Sequence, residues 1–238
     1  MNKNLIKINI ALLMIMLVFD VWYMFGGGLF AKTIASMMFV MVGVINFYHC
    51  SKNIKNKNNL KFPKWMLVAL VFAMIADILI VINFYSGVVL FATAHVFYFI
   101  SYCKLQKTNF KDLICGITMS IISLFIIFNI PFIDFGSSLM QIVCSTYAVI
   151  ISFMVGKAIS NLLSEKNNTN KIIAIGSILF FISDFMLMLD VFGNIQAASY
   201  LCLGTYYPAQ FLLGFSVLIY GNMNISEKIK NIKFFKAS

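Results

Sequence analysis

The sequence predicts an all-α membrane protein, a polytopic bundle of eight transmembrane helices arranged as two parallel four-helix repeats. Three observations predict it. Of the residues, 61% are hydrophobic and only 11% charged, and the mean hydropathy is +0.93, a composition that a water-soluble globule does not have. Apolar runs of about 20 residues, the length that crosses a bilayer, recur along the whole chain. The lysines gather in alternate connections between those runs.

The runs fall at 5–25, 31–49, 66–84, 87–104, 112–130, 138–157, 171–190 and 198–220. The first has a basic start like a secretory signal, but Ile8 to Phe25 is too long for one, Asp20 interrupts its end, and seven further spans follow. It is therefore read as helix one. The second begins after Gly26–Gly28 and ends at His49; the third follows a basic loop and carries Asp77 in the run VFAMIADILIVI. On the fourth, His95, Tyr98 and Tyr102 recur at i, i+3, i+7 and share a face. Thr118 on the fifth, Ser145 and Ser152 on the sixth, and Ser177 on the seventh are suited to interhelical hydrogen bonds. The seventh carries Asp184 in LFFISDFMLMLD, seven residues after Ser177. On the eighth, Tyr206 and Gln210 are one turn apart, Tyr207 is adjacent, and Pro208 removes one backbone donor.

The chain reads as one integral membrane domain over 1–238, with repeat halves 1–110 and 111–225 and a basic tail at 226–238. Short cytoplasmic loops collect positive charge. Lys3 and Lys7, the cluster from Lys52 to Lys64, then Lys104, Lys107 and Lys111, then Lys157, Lys166 and Lys171, and finally the tail lysines all fall on one side. Lys32 alone falls on the other. Both termini are expected in the cytoplasm, with the protein multi-pass in the cell membrane. The net charge of +10 reads as topology and attraction to anionic lipid headgroups, not as a nucleic-acid surface.

Cys50, Cys103, Cys115, Cys144 and Cys202 are scattered and form no C-x-x-C pair, and the only histidines, His49 and His95, are far apart in depth. No metal or other cofactor is expected. There is no nucleotide loop and no G-x-S-x-G elbow, so nucleophilic serine hydrolysis is disfavoured.

The functional signal lies in the two apolar runs that hold Asp77 and Asp184, 107 residues apart (184 − 77). A carboxylate near the bilayer centre costs about 2.5–3.5 kcal/mol on insertion scales, so such groups face a protein interior or a wet cavity. After each aspartate comes a short outer loop and then an aromatic-rich polar motif, ATAHVFYF around His95 and GTYYPAQF around Tyr206. A parallel repeat would set helices three, four, seven and eight around one central cavity. His95 lies about eight residues, or roughly 12 Å, below the start of its run, at the depth of the aspartates. Asp20, Asp134 and Asp190 sit at outer span ends, where a carboxylate needs no special role.

The segments ALVFAMIADILIVI, ATAHVFY, GSILFFISDFMLML and TYYPAQFLLGFSV, with STYAVIISFMVGKA in the sixth helix, resemble the YhhN-like lysoplasmalogenase family of eight-helix membrane proteins. The resemblance covers essentially the whole chain. It departs from the family at Ala76, where a glycine is usual, and at Lys32-Thr33, where Lys-Pro is usual. It implies a hydrolase that cleaves the vinyl ether of a lysoplasmalogen to a fatty aldehyde and a glycerophospho-headgroup. The matching positions are Asp77, His95, Tyr98, Tyr147, Ser183, Asp184, Tyr206, Tyr207 and Gln210.

The residues suit that chemistry. Protonating the vinyl carbon gives an oxocarbenium ion that water attacks, so an acid and a base or anionic stabiliser are required; paired carboxylates can be both. Asp77 and Asp184 are expected to divide these roles, with His95 orienting one of them or the water. Tyr98, Tyr147, Ser183, Tyr206, Tyr207 and Gln210 are expected to contact the lysophospholipid, and Lys32 to hold its phosphate. The alternatives are a proton-coupled transporter, which intramembrane Asp and His also suit, and a non-catalytic lipid-binding protein.

Overall fold

The computed structural model describes residues 3–237, with side chains described for 3–224; the basic tail expected at 226–238 lies outside those side chains. Eight helices follow in order: α1 (Lys3–Trp22), α2 (Gly28–Asn53), α3 (Lys61–Ile82), α4 (Phe84–Leu105), α5 (Phe110–Asn129), α6 (Ser138–Ser164), α7 (Asn168–Gly193) and α8 (Gln196–Ala237). Among the described residues, seven continuous helical stretches are long and apolar enough to cross a membrane, the first of which, Lys3–Asn53, contains both α1 and α2.

That first stretch is a hairpin. The Asn9 and Asn46 amides exchange hydrogen bonds at 3.1 and 2.9 Å, and their midpoint in sequence falls at Gly27–Gly28. A short π-helical turn, Tyr23–Gly27, carries the chain round, with Gly26 at φ 101° and Gly28 at φ 58°. A side chain is strongly disfavoured at both angles, so glycine is what permits a reversal this tight. Asn46 also donates to the Gly214 carbonyl, pinning α8 to the hairpin.

Helices α4, α5 and α7 begin two to three residues before their apolar runs because polar caps that hydropathy discounts open them. Asn83, Ser137 and Asn167 accept from backbone amides three residues on. Asn109 and Asp112 form a reciprocal capping box at the start of α5. Pro63 falls in the first turn of α3, where its missing N–H leaves no bond unmade. Pro208 sits within a continuous α8.

Consecutive helices pack against each other except α4 and α5, and six of the eight close a ring in the order α2, α3, α4, α6, α7, α8, with α8 back against α2. α1 lies outside the ring on α2, and α5 outside it on α6. Exchanging α1–α4 for α5–α8 maps the main neighbour pairs onto each other. The exterior is apolar, as lipid requires: Phe110, Ile121, Phe125 and Val89 all stand at 60% exposure or more.

Two charged residues depart from their sequence reading. Lys157, read as a topology-marking loop lysine, is fully buried: its Nζ donates to Asp112 Oδ2 at 2.7 Å and to the Lys107 carbonyl at 3.2 Å. Helix α6 runs seven residues past it, so the position falls inside the bundle. Asp20, read as a span-end residue, is only 2% exposed and faces the interior near Lys32 and Asp77.

Candidate functional site

Asp77, on α3, is five residues from the end of its helix and 2% exposed. Its Oδ2 accepts from Ser36 Oγ on α2 at 2.6 Å and from Tyr206 OH on α8 at 2.8 Å. Lys32 Nζ, one turn before Ser36, stands 3.7 Å from Oδ1 and 5.1 Å from the centroid of the Tyr23 ring. From α1, Asp20 interacts electrostatically with both Lys32 and Asp77 and leaves its Oδ1 without a hydrogen-bond partner. The result is a buried cluster of two carboxylates about one ammonium.

Asp184, on α7, has different company. Its Oδ2 accepts from Tyr147 OH on α6 at 2.5 Å and lies 3.2 Å from His95 Nε2 on α4. His95 Nε2 is also 2.8 Å from Tyr147 OH, so the three groups close a triangle around one proton-bearing edge. The imidazole is fully buried, its Nδ1 has no partner, and Phe180 packs edge-on against it at 4.7 Å. The Asp184 side chain keeps 13% of its surface exposed.

That exposure opens into a cavity of about 90 Å³ among the C-terminal ends of α3, α5 and α7 and the N-terminal halves of α4 and α6. Its wall is apolar, with Ile80, Val88, Phe91, Ile127, Ile151 and Phe185 among its contributors. Asp184 and Tyr147 supply its polar end. Asp77 does not line it. Between the two carboxylates stand Phe180 and Tyr206, 5.3 Å apart, with Phe91 edge-on to Tyr206 at 5.9 Å. The pair is thus coupled through space, Asp184 acting electrostatically on Asp77, without sharing a chamber. The central cavity that the repeat suggested is filled by aromatic rings, and the open space lies to one side.

The other expected residues fall behind this layer. Tyr98 OH donates to Gln210 Oε1 at 2.6 Å, and Tyr102 OH pairs with Ser177 Oγ at 2.9 Å. Tyr207 packs edge-on against Tyr206. Ser183 turns away from Asp184 towards Cys202, 3.5 Å away. None of these four, Tyr98, Tyr207, Gln210 or Ser183, lines the cavity. Ser36, Asp20 and Phe180 were not anticipated. Ser36 was legible in principle as the polar residue one turn from Lys32. A metal would find only His95 and Asp184 as conventional ligands here, and no group of three such side chains occurs among the described residues.

Fold and site together define an integral membrane protein whose ionisable groups are gathered inside a helical ring, one of them at the floor of an apolar pocket. The sequence matches the YhhN family over residues 28–217, most of the chain, and the protein belongs to that family. No curated protein and no solved structure matches it.

Proposed function

We propose that this protein is a membrane-embedded hydrolase that cleaves the vinyl ether of a lysoplasmalogen, releasing a fatty aldehyde, with Asp184 at the reacting centre. The observation that carries the proposal is a carboxylate held by a histidine and a tyrosine at the polar end of an otherwise apolar cavity. The resemblance to lysoplasmalogenases supplies the substrate class.

In the reaction, R–CH=CH–O–R′ takes a proton on the carbon β to oxygen, giving an oxocarbenium ion. The Asp184–His95–Tyr147 triangle holds that proton and delivers it. The carboxylate left behind stabilises the cation and takes a proton from the water that adds to the α carbon. The resulting hemiacetal expels R′–OH and leaves R–CH2–CHO. His95 keeps the carboxyl oriented throughout, and proton transfer of this kind is worth about 10²–10⁴ in rate.

Asp77 acts from a distance. Lys32 is already engaged with it, so the ammonium serves as the charge partner of Asp77, not as a free phosphate ligand. Tyr206, held by Asp77, braces Phe180 behind His95. None of the cavity's lining residues comes from the helix ends next to the lysine-rich loops, which favours hydrolysis over transport. The site faces away from a cytoplasm that holds both termini.

The test is aldehyde release from vinyl-ether and ester lysophospholipids by purified protein in detergent. Wild type should turn over the vinyl ether only, and Asp184→Asn should lose at least about 100-fold. Equal rates for the folded variant and wild type would sink the proposal.

A further inference from the structure

The geometry points to a lateral portal between α4 and α5, through which a single hydrocarbon chain passes from the leaflet on the lysine-poor side to Asp184. The inference rests on the hydrolase reading for its ligand and on packing for its route.

The cavity is only partly enclosed, and the direction of its opening follows from what covers it. Its outer end is roofed. Phe84 meets Phe192 edge-on at 5.9 Å, and Phe135 tilts against Phe192 at 5.0 Å. The loop between α5 and α6 is tied over that roof by Asp134 N–H donating to the Phe192 carbonyl at 3.0 Å. Water-side access from above is thus blocked by three rings and a fastened loop.

The side is different. α5 leans on α6 and has no comparable packing against α3, α4 or α7. It is clamped to α6 at its inner end. There Lys157 joins Asp112, and the backbones approach so closely that a Cβ on Gly156 would fall 2.5 Å from Gly116 N. Further out, Ser123 Oγ pairs with Ser152 Oγ at 2.8 Å. Beyond that bond, the outer half of α5 forms the cavity wall across from Phe84 and Val88 of α4. Phe84 and Ile126 are half-buried, whereas Phe91 and Ile151 deeper in are 6% and 2% exposed, so accessibility falls along a path from the α4–α5 gap inward. A wall fixed at one end and facing an apolar slot admits a chain, not a headgroup.

The experiment follows binding, not turnover. A polyene-labelled lysophospholipid is mixed with protein in stopped flow, with energy transfer from Trp65 and Trp22 as the signal. Ile126→Phe, which narrows the gap, should slow association and dissociation together by about tenfold while Kd stays within about threefold, the signature of a gate. Adding Val88→Ala, which widens the gap from the α4 side without touching the roof, should restore both rates. Phe135→Ala, which loosens the roof, should leave them unchanged. Unchanged rates in Ile126→Phe, a weakened Kd at an unchanged association rate, acceleration by Phe135→Ala, or no saturable transfer in wild type would each overturn the portal. Loss of aldehyde release in all preparations, with gated binding intact, would instead remove the hydrolase reading and leave the portal standing.

Discussion

Replacing Lys32 by methionine removes an ammonium that two buried carboxylates share, and the structure allows the cost to be worked out. At 3.7 Å and an effective dielectric of about 20, the Lys32–Asp77 attraction is about 4–5 kcal/mol. Little screening is expected, since the two side chains are 10% and 3% exposed. Breaking a buried pair by removing one partner costs about 3–5 kcal/mol, because the other charge stays desolvated. Lys32→Met should fall in that range. Asp77→Asn should not: Lys32 retains Asp20, and the amide oxygen that replaces the carboxylate can still accept from Ser36 and Tyr206, so only about 1–2 kcal/mol is lost. The double variant should therefore be more stable than Lys32→Met alone, by about 1–3 kcal/mol, a coupling of the size seen within contacting networks. Unfolding in mixed micelles of a mild detergent and SDS measures all three. If Asp77→Asn proves as costly as Lys32→Met, or if the two costs add, then the cluster is not two carboxylates competing for one cation.

Two further outcomes follow from the same geometry. Tyr147→Phe removes the donor 2.5 Å from Asp184 Oδ2 while His95 stays in place, so aldehyde release should slow by about tenfold with the fold intact, read by initial rates and thermal unfolding. Gly156→Val sets a branched side chain against the Gly116 backbone and should destabilise by about 1–3 kcal/mol or more; a midpoint unchanged in the detergent unfolding assay would contradict the close α5–α6 approach.

The span count, their order and the two carboxylates were legible in the sequence because each rests on a local property: apolar length, or one charged residue inside such a length. The helix ends were less so, since Asn83, Asn109 and Asn167 extend helices through capping bonds that hydropathy counts as loop. Lys157 was misplaced because a loop lysine and a buried one look alike until Asp112, 45 residues earlier, is brought to it. Asp20 was missed for the same reason: its neighbours Lys32 and Asp77 come from other helices. The stripe of Tyr98, Tyr102 and Gln210 did face inward, but Tyr98 and Gln210 meet each other across the ring and Tyr102 meets Ser177, so none of them faces open space. Periodicity gives the face a residue occupies; whether that face meets a cavity or another side chain depends on residues a hundred positions away.

The two aspartates look alike in sequence and receive their hydrogen bonds in parallel ways. Each Oδ2 accepts a hydroxyl from the helix before its own, Ser36 of α2 or Tyr147 of α6, and each has a partner on the helix that closes the ring beyond, Tyr206 of α8 or His95 of α4. What distinguishes them is the chemistry of the third group. Asp77 has Lys32, whose Nζ stands 3.7 Å from its Oδ1 and can only donate. Asp184 has an imidazole, whose ring nitrogens can donate or accept a hydrogen bond, and a cavity against one edge. A duplicated carboxylate site whose two copies acquire a lysine and a histidine becomes one anchor and one proton donor. On that logic, moving the chemistry would take more than an aspartate. A Tyr206→His substitution would give Asp77 its own imidazole, yet aldehyde release should still depend wholly on Asp184, because Phe91 and Phe180 keep the chain from reaching Asp77. Activity in a Tyr206→His/Asp184→Asn double variant would show that the rings are no barrier and that the two sites are interchangeable.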